Sequence, residues 1–186
     1  MVILFGYKEI MISIIIYLVI VVVLKLKYRK ENLFFIFFTI MYIYIIFVIK
    51  LTQFPIYITE FQHQIIGPVK WGRDINLIPF KDAFNITSIL NILMTIPFGF
   101  GLSFLIKRNF KKTVIAGAIF SFLIELTQLL VALIVGYTFR KIDINDVIFN
   151  TLGVVMGYLI FMIFIRIVNF IFKHFDDKFI KYICGR

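Results

Sequence analysis

The stretch Ser121–Gly157 reads SFLIELTQLLVALIVGYTFRKIDINDVIFNTLGVVMG, and it decides how the rest of the chain is understood. An apolar run carries Glu125 and Gln128 in its middle. A short polar crossing with Arg140 and Asp143 follows. A second apolar run then opens with Asp146, Asn150, Gly153 and Gly157. Carboxylates, amides and an arginine inside oily sequence are costly in a bilayer, so they are kept from lipid and tend to mark function.

The totals around this stretch set the solvent. The chain has 186 residues, 62% hydrophobic, with 24 phenylalanines and a mean hydropathy of +1.02. A water-soluble domain of this length has too little interior for that much apolar surface. The expected class is an all-α integral membrane protein forming a single membrane domain over 1–186. The formal net charge of +10 raises the question of nucleic acid. The charges cluster between apolar runs, where membrane topology accounts for them, and no nucleic-acid partner is expected. Cys184 is the single cysteine, which excludes an intrachain disulfide and a cysteine metal cluster. His63 has no second histidine at ligand spacing and reads as a solvated residue. No metal and no cofactor is expected.

Five spans are predicted, at about 10–24, 32–49, 88–106, 113–135 and 146–165, each approaching the about 20 residues needed to cross a bilayer core. Basic residues follow the first apolar run instead of preceding it, so that run reads as an uncleaved span and not a signal peptide. The connection 52–85 holds Phe54, Ile58, Phe61 and Ile65 at helical spacing opposite Glu60, Gln62 and Gln64. That pattern predicts a short helix lying in the headgroup layer, with Tyr57 and Trp71 as interfacial anchors. Segments 25–32, 107–112 and 166–186 hold 13 of the 20 lysines and arginines. Positive loops stay cytoplasmic. The expected topology therefore has the amino terminus outside, and a charged, aromatic carboxy-terminal tail (166–186) in the cytoplasm.

Helical spacing then gathers three polar faces. Span three presents Ser88, Asn91, Thr95, Gly99 and Ser103. Span four presents Gly117, Ser121, Glu125, Gln128 and Ala132. Span five presents Asp146, Asn150, Gly153 and Gly157. Small residues let helices approach and polar ones bond across the gap, so spans three to five are expected to form a tight sub-bundle with one and two outside. Counted from Thr113, Glu125 lies about 18 Å up a core about 30 Å thick. Pro97 interrupts span three and frees the carbonyl of Leu93. The expected result is a cavity open to the outer face, floored by Glu125, lined by Gln128, Asp146 and Asn150, with Arg140 and Asp143 at its rim. Gly153 and Gly157 read as packing residues, and Asp146 and Asn150 as a helix start or as site residues. Asn91 and Thr95 fit packing or site equally. A mid-span acid costs about 3 kcal/mol on insertion scales, and a glutamine would serve as glue, so Glu125 reads as functional.

In order along the chain come Asn76-Leu77-Ile78-Pro79-Phe80, Asn91 leading to Ile96-Pro97-Phe98-Gly99, and Glu125-x-x-Gln128. Then come Arg140-x-x-Asp143-Ile144-x-Asp146-Val147-Ile148-x-Asn150-Thr151-x-Gly153-x-x-x-Gly157. These strings resemble the VanZ-like family over residues 74–158. The crossing Gly136-Tyr137-Thr138-Phe139-Arg140 departs from the shorter, glycine-rich loop of that pattern. The resemblance implies a multi-pass protein of the bacterial cytoplasmic membrane. That family is named for a member that lowers susceptibility to the glycopeptide teicoplanin.

Three functions are compatible with these residues. The first is binding or modifying a lipid-linked envelope precursor, or another amphiphile such as a glycopeptide or lipoglycopeptide antibiotic. Its site would be Asn76, Asn91, Glu125, Gln128, Arg140, Asp143, Asp146 and Asn150, with Arg140 on an anionic headgroup. Should chemistry occur there, Glu125 and Asp146 are the candidate proton acceptor and donor. The second is a small transporter or flippase component with Glu125 as proton relay, although the chain shows no inverted repeat. The third is a non-catalytic scaffold of an envelope complex. An enzyme is possible but not shown, since there is no Gly-x-Ser-x-Gly, His-Glu-x-x-His or phosphate-binding glycine loop. Membrane lipids are expected partners, and nothing in the spacing specifies an oligomeric state.

Overall fold

A computed structural model describes residues 2–106, 108–173 and 178–184. Lys107 of the second basic cluster and tail residues 174–177, 185 and 186 lie outside the described residues. In chain order the elements are β1 (Val2–Ile3), α1 (Tyr7–Tyr28), α2 (Asn32–Gln53), β2 (Ile56–Tyr57), α3 (Glu60–Ile66), β3 (Ile75–Asn76), α4 (Ile86–Leu105), α5 (Phe110–Val135), β4 (Ile142–Asp143), α6 (Ile144–Ile171) and α7 (Lys178–Cys184). Among the described residues, α1, α2, α4, α5 and α6 are long and apolar enough to cross a membrane. The protein is a multi-pass helical membrane protein.

Local chemistry sets the helix bounds. Asn85 caps α4, its side chain accepting from Ser88 N at 3.1 Å. Asn109 caps α5 through Lys112 N at 2.9 Å, and Gly136, with φ of 88°, ends it in the left-handed region. Asp143 caps α6, accepting from Asn145 N at 2.9 Å. Lys25 and Lys27 sit in the last turn of α1, where cations favour the helix dipole. Helices α4, α5 and α6 thus start two or three residues before the expected spans, at their capping residues. The start of the expected tail is a continuation of α6, and α7 folds back with Ile183 buried against Phe161 and Ile165. The helix in the 52–85 connection is shorter than the apolar spacing predicts. It covers Glu60–Ile66 only, because Phe54 ends α2 and Ile56–Tyr57 pairs with β1.

The core is α4 packed on α6, with α5 beside them. A Cβ at Gly153 would strike the Ile92 carbonyl, and one at Gly157 the Ile96 carbonyl, so the two backbones meet directly. Thr95 Oγ1 donates across the same interface to the Asn150 carbonyl at 2.7 Å. Val154, fully buried, fills the space that Gly117 leaves on α5. Helix α2 lies outside this trio: Tyr44 donates to the Met94 carbonyl at 2.6 Å and Met41 lies over Gly101. Helix α1 lies outside α2, held by Tyr17 against Thr39 at 2.6 Å and by Tyr42 donating to the Ser13 carbonyl at 2.6 Å. Most of its isoleucines, valines and leucines stay exposed, as expected of a surface solvated by acyl chains. Pro97 and Leu93 are exposed on α4, so the interruption in that helix faces away from the polar seam.

Two small ladders tie the loops at one end. β1 pairs antiparallel with β2, and β3 pairs parallel with β4. The second ladder joins the connection before α4 to the crossing before α6, and it builds the site.

Candidate functional site

The ladder sets Ile75 opposite Ile142 and Asn76 opposite Asp143, and Ile142 N donates to the Asp74 carbonyl at 2.9 Å. Asp74 locks the turn before it. Its carboxylate accepts from Lys70 N at 2.8 Å, Arg73 Nε at 2.7 Å and Arg73 Nη2 at 2.7 Å. The paired Arg73 guanidinium holds the Asp74 carboxyl well below the usual carboxylate range. Asn76 Nδ2 donates to Asp143 Oδ1 at 2.8 Å, and its Oδ1 accepts from Ile78 N at 3.2 Å. Asn145 clamps the next part of the loop, accepting from Phe80 N at 2.6 Å and donating to the Lys81 carbonyl at 2.9 Å. Phe80 and Asp82 stand at φ of 63° and 52°, a left-handed turn that such clamping sustains.

Glu125 rises from α5 to meet this latch. It is 5% exposed, and its Oε2 accepts from Asp143 N at 3.0 Å. Asp143 and Asp146 are its charged neighbours. Among the described residues, Lys141 lies within ion-pair distance of one of these three carboxylates, 3.6 Å from Asp143. Asn91 of α4 stands beside the Asp146 carboxylate, with its Nδ2 buried. Asn150, 2% exposed, gives its main-chain carbonyl to Thr95 but leaves its own Oδ1 unpaired. Ser121 Oγ is also buried without a partner, and Thr138 stands beside the Asp74 carboxylate. An unsatisfied buried polar atom costs about 1–3 kcal/mol, so each of them is a place where water or a ligand's polar atom would be stabilised. Glu125 and Asn150 are shut in, whereas Asn91 and Asp146 are half-buried and mark where the seam meets the surface.

Two of the expected site residues take other partners. Arg140 Nη2 donates to the carbonyls of Leu51 and Phe54, at 2.9 and 3.2 Å, and makes no ion pair among the described residues. Burial lowers its pKa from the usual arginine value. Gln128 Nε2 donates to the Thr52 carbonyl at 2.9 Å, and Gln53 Nε2 reaches back to the Ile124 carbonyl at 3.3 Å. The last carbonyls of a helix have no partner within it. Arg140 and Gln128 satisfy those of α2 and fasten it to α5. Glu125 lies buried beneath the latched loops, and a recess of about 790 Å³ lies at the opposite end of the bundle.

Sequence reasoning passed over Asn145 and Asp74. Asn145 sits at the unassigned position between Ile144 and Asp146, and Asp74 just ahead of the Asn76 string. Tyr137, 1% exposed, was missed too. Its hydroxyl bridges the Tyr57 carbonyl at 2.6 Å and Gln62 Oε1 at 3.0 Å, tying α3 to the crossing. His63 is exposed at this junction, its ring edge-on to Tyr137 at 6.0 Å.

Fold and site together define a class: a five-span helical membrane protein whose inner trio of helices carries an acidic, amide-rich seam under two latched loops. The VanZ/LLP1 family model matches residues 35–165, and the chain belongs to this family. The match runs from α2 through α6 and leaves α1 and α7 outside it. No curated protein and no solved structure shows a significant match.

Proposed function

We propose that the protein holds the polar headgroup of a membrane amphiphile in the seam between α4, α5 and α6. On this reading it lies in the bacterial cytoplasmic membrane, amino terminus outside and carboxy terminus in the cytoplasm. The latched loops then face outward, and α3 lies in the outer headgroup layer through the exposed Phe61 and Ile65. The occupant is a lipid-linked cell-envelope precursor or an amphiphilic glycopeptide or lipoglycopeptide, and its retention lowers glycopeptide susceptibility.

The observation that carries this reading is the company Glu125 keeps. Its charged neighbours Asp143 and Asp146 are carboxylates, and Ser121 Oγ on the same helix and Asn150 Oδ1 on α6 are buried without a partner. With Arg140 committed to α2, the seam is rich in acceptors. It suits a headgroup bearing hydroxyl, amine or amide donors better than a bare phosphate. Asn91 and Asp146 form its doorway and Glu125 its floor.

The test is glycopeptide and lipoglycopeptide susceptibility of a strain lacking the gene, complemented with wild type or Glu125→Gln, beside native mass spectrometry for co-purifying lipid. We expect Glu125→Gln to be produced at wild-type level and to fail to restore the phenotype. Full restoration removes Glu125 from the mechanism.

A second reading, a small transporter with Glu125 as proton relay, draws on one observation. Buried Glu125 and half-buried Asp146 are charged neighbours, a two-step route from core to surface. Proton-gradient-driven lipid movement in proteoliposomes, abolished by Glu125→Gln, would favour it over simple binding.

A further inference from the structure

The recess of about 790 Å³ lies at the end of the bundle away from the seam, and the seam hypothesis gives it no role. Its volume falls within the range of about 300–1,000 Å³ typical of small-ligand sites. Lys30 from the α1–α2 turn, Arg108 from the α4–α5 turn, and Lys178 and Lys181 from α7 line it. Among the described residues one carboxylate lines it with them, Glu31, which pairs with Lys178 at 3.8 Å. Both partners of that pair are well exposed, so it is weak. The floor is apolar, made by Phe34, Phe104 and Phe161.

The walls are built and not accidental. Phe37 stacks on Phe104 with ring centres 4.3 Å apart and on Tyr182 at 5.6 Å. Arg108, held at φ of 54°, donates to the Ile183 carbonyl at 3.3 Å, and Tyr182 donates to the Phe104 carbonyl at 3.4 Å. Helix α7 is thus fastened across the bundle end by its apolar residues, while two of its lysines line the recess. Four cations from three separate segments converge over phenylalanines at the level where the helices leave the apolar core. Cations alone would serve any phosphate. Cations above an apolar floor in a membrane protein match a phosphate that carries acyl chains.

We infer that this recess is a second binding site, for the phosphate headgroup of an anionic phospholipid in the leaflet opposite the seam. Lys30, Arg108, Lys178 and Lys181 neutralise the phosphate, the phenylalanine floor takes the start of the acyl chains, and Glu31 limits the affinity.

The experiment is native mass spectrometry of the full-length detergent-solubilised protein titrated with phosphatidylglycerol, phosphatidylcholine or inorganic phosphate. We expect preferential retention of phosphatidylglycerol, weakened by added salt and not displaced by inorganic phosphate. A Lys30→Gln/Lys181→Gln double variant should bind phosphatidylglycerol roughly tenfold or more weakly. Glu31→Gln, a change at an exposed residue that leaves the packing alone, should bind it more tightly. Glu125→Gln should leave this preference unchanged, which separates the recess from the seam. Equal retention of the two lipids overturns the inference, as does displacement by inorganic phosphate. So does a Glu31→Gln variant that binds no better than wild type.

Discussion

Glu125 shows how one side chain can be both structural and functional. Its carboxylate accepts the Asp143 amide proton at 3.0 Å, and Glu125→Ala would leave that partly buried donor bare. Such a loss costs about 1–3 kcal/mol. Glutamine keeps an acceptor in place. We therefore expect Glu125→Ala to lower thermal stability in detergent clearly and Glu125→Gln to leave it near wild type, while both lose the susceptibility phenotype. Asp74 yields a pH prediction at the same scale. Because Arg73 holds its folded pKa below the unfolded value of about 3.9, its contribution to the latch is complete above that value and lost as pH falls through the lower folded one. Trp71 lies in this turn, bridged to Ile75, and is the chain's single tryptophan. Wild-type Trp71 fluorescence should stay flat from neutral pH to about pH 4 and change only in stronger acid. In Arg73→Gln the transition should move to higher pH.

Between elements, the decisive contact is α4 on α6. Glycine is required at 153 and 157 because an opposing carbonyl occupies the place of a side chain. Gly157→Ala therefore forces the helices apart, and overpacking of this kind costs about 1–3 kcal/mol. Thermal unfolding should show the loss. Gly6→Ala, where an added methyl meets only ordinary contact distances, is the control and should change little. Asn150, Gly153 and Gly157 on α6, Gly117, Ser121, Glu125 and Ala132 on α5, and Ser88, Thr95, Gly99 and Ser103 on α4 are buried as helical spacing predicts, while Asn91, Gln128 and Asp146 of the same faces are half-buried. They were legible because period 3.6 needs no partner to be seen. The β3–β4 ladder, the Asn145 clamp and the Arg140 cap on α2 were not. Each joins residues far apart in sequence through one or two hydrogen bonds, and such a pairing leaves no periodic trace.

For the molecule as a whole, alternation of five spans brings the ends of α1, α4 and α6 together with the starts of α2 and α5, and the basic clusters fall at that end. In a Cys184→Ser background, we expect Lys112→Cys to react with a membrane-impermeant maleimide only after permeabilisation. Lys141→Cys should react in intact cells. The reverse result would turn the protein over and place the seam in the cytoplasmic leaflet.

Composition and period alone determined that this chain is a multi-pass membrane protein, where its long apolar helices fall, and which face of each inner helix turns inward. Those properties follow from transfer free energy and helix geometry, which act residue by residue. Tertiary structure alone decided that Arg140 holds α2 instead of a ligand, that Glu125 meets an amide of the crossing, and that four cations surround one recess. These depend on where separate segments meet in space, and a hydrogen bond between distant residues is specified by the whole packing, not by either neighbourhood.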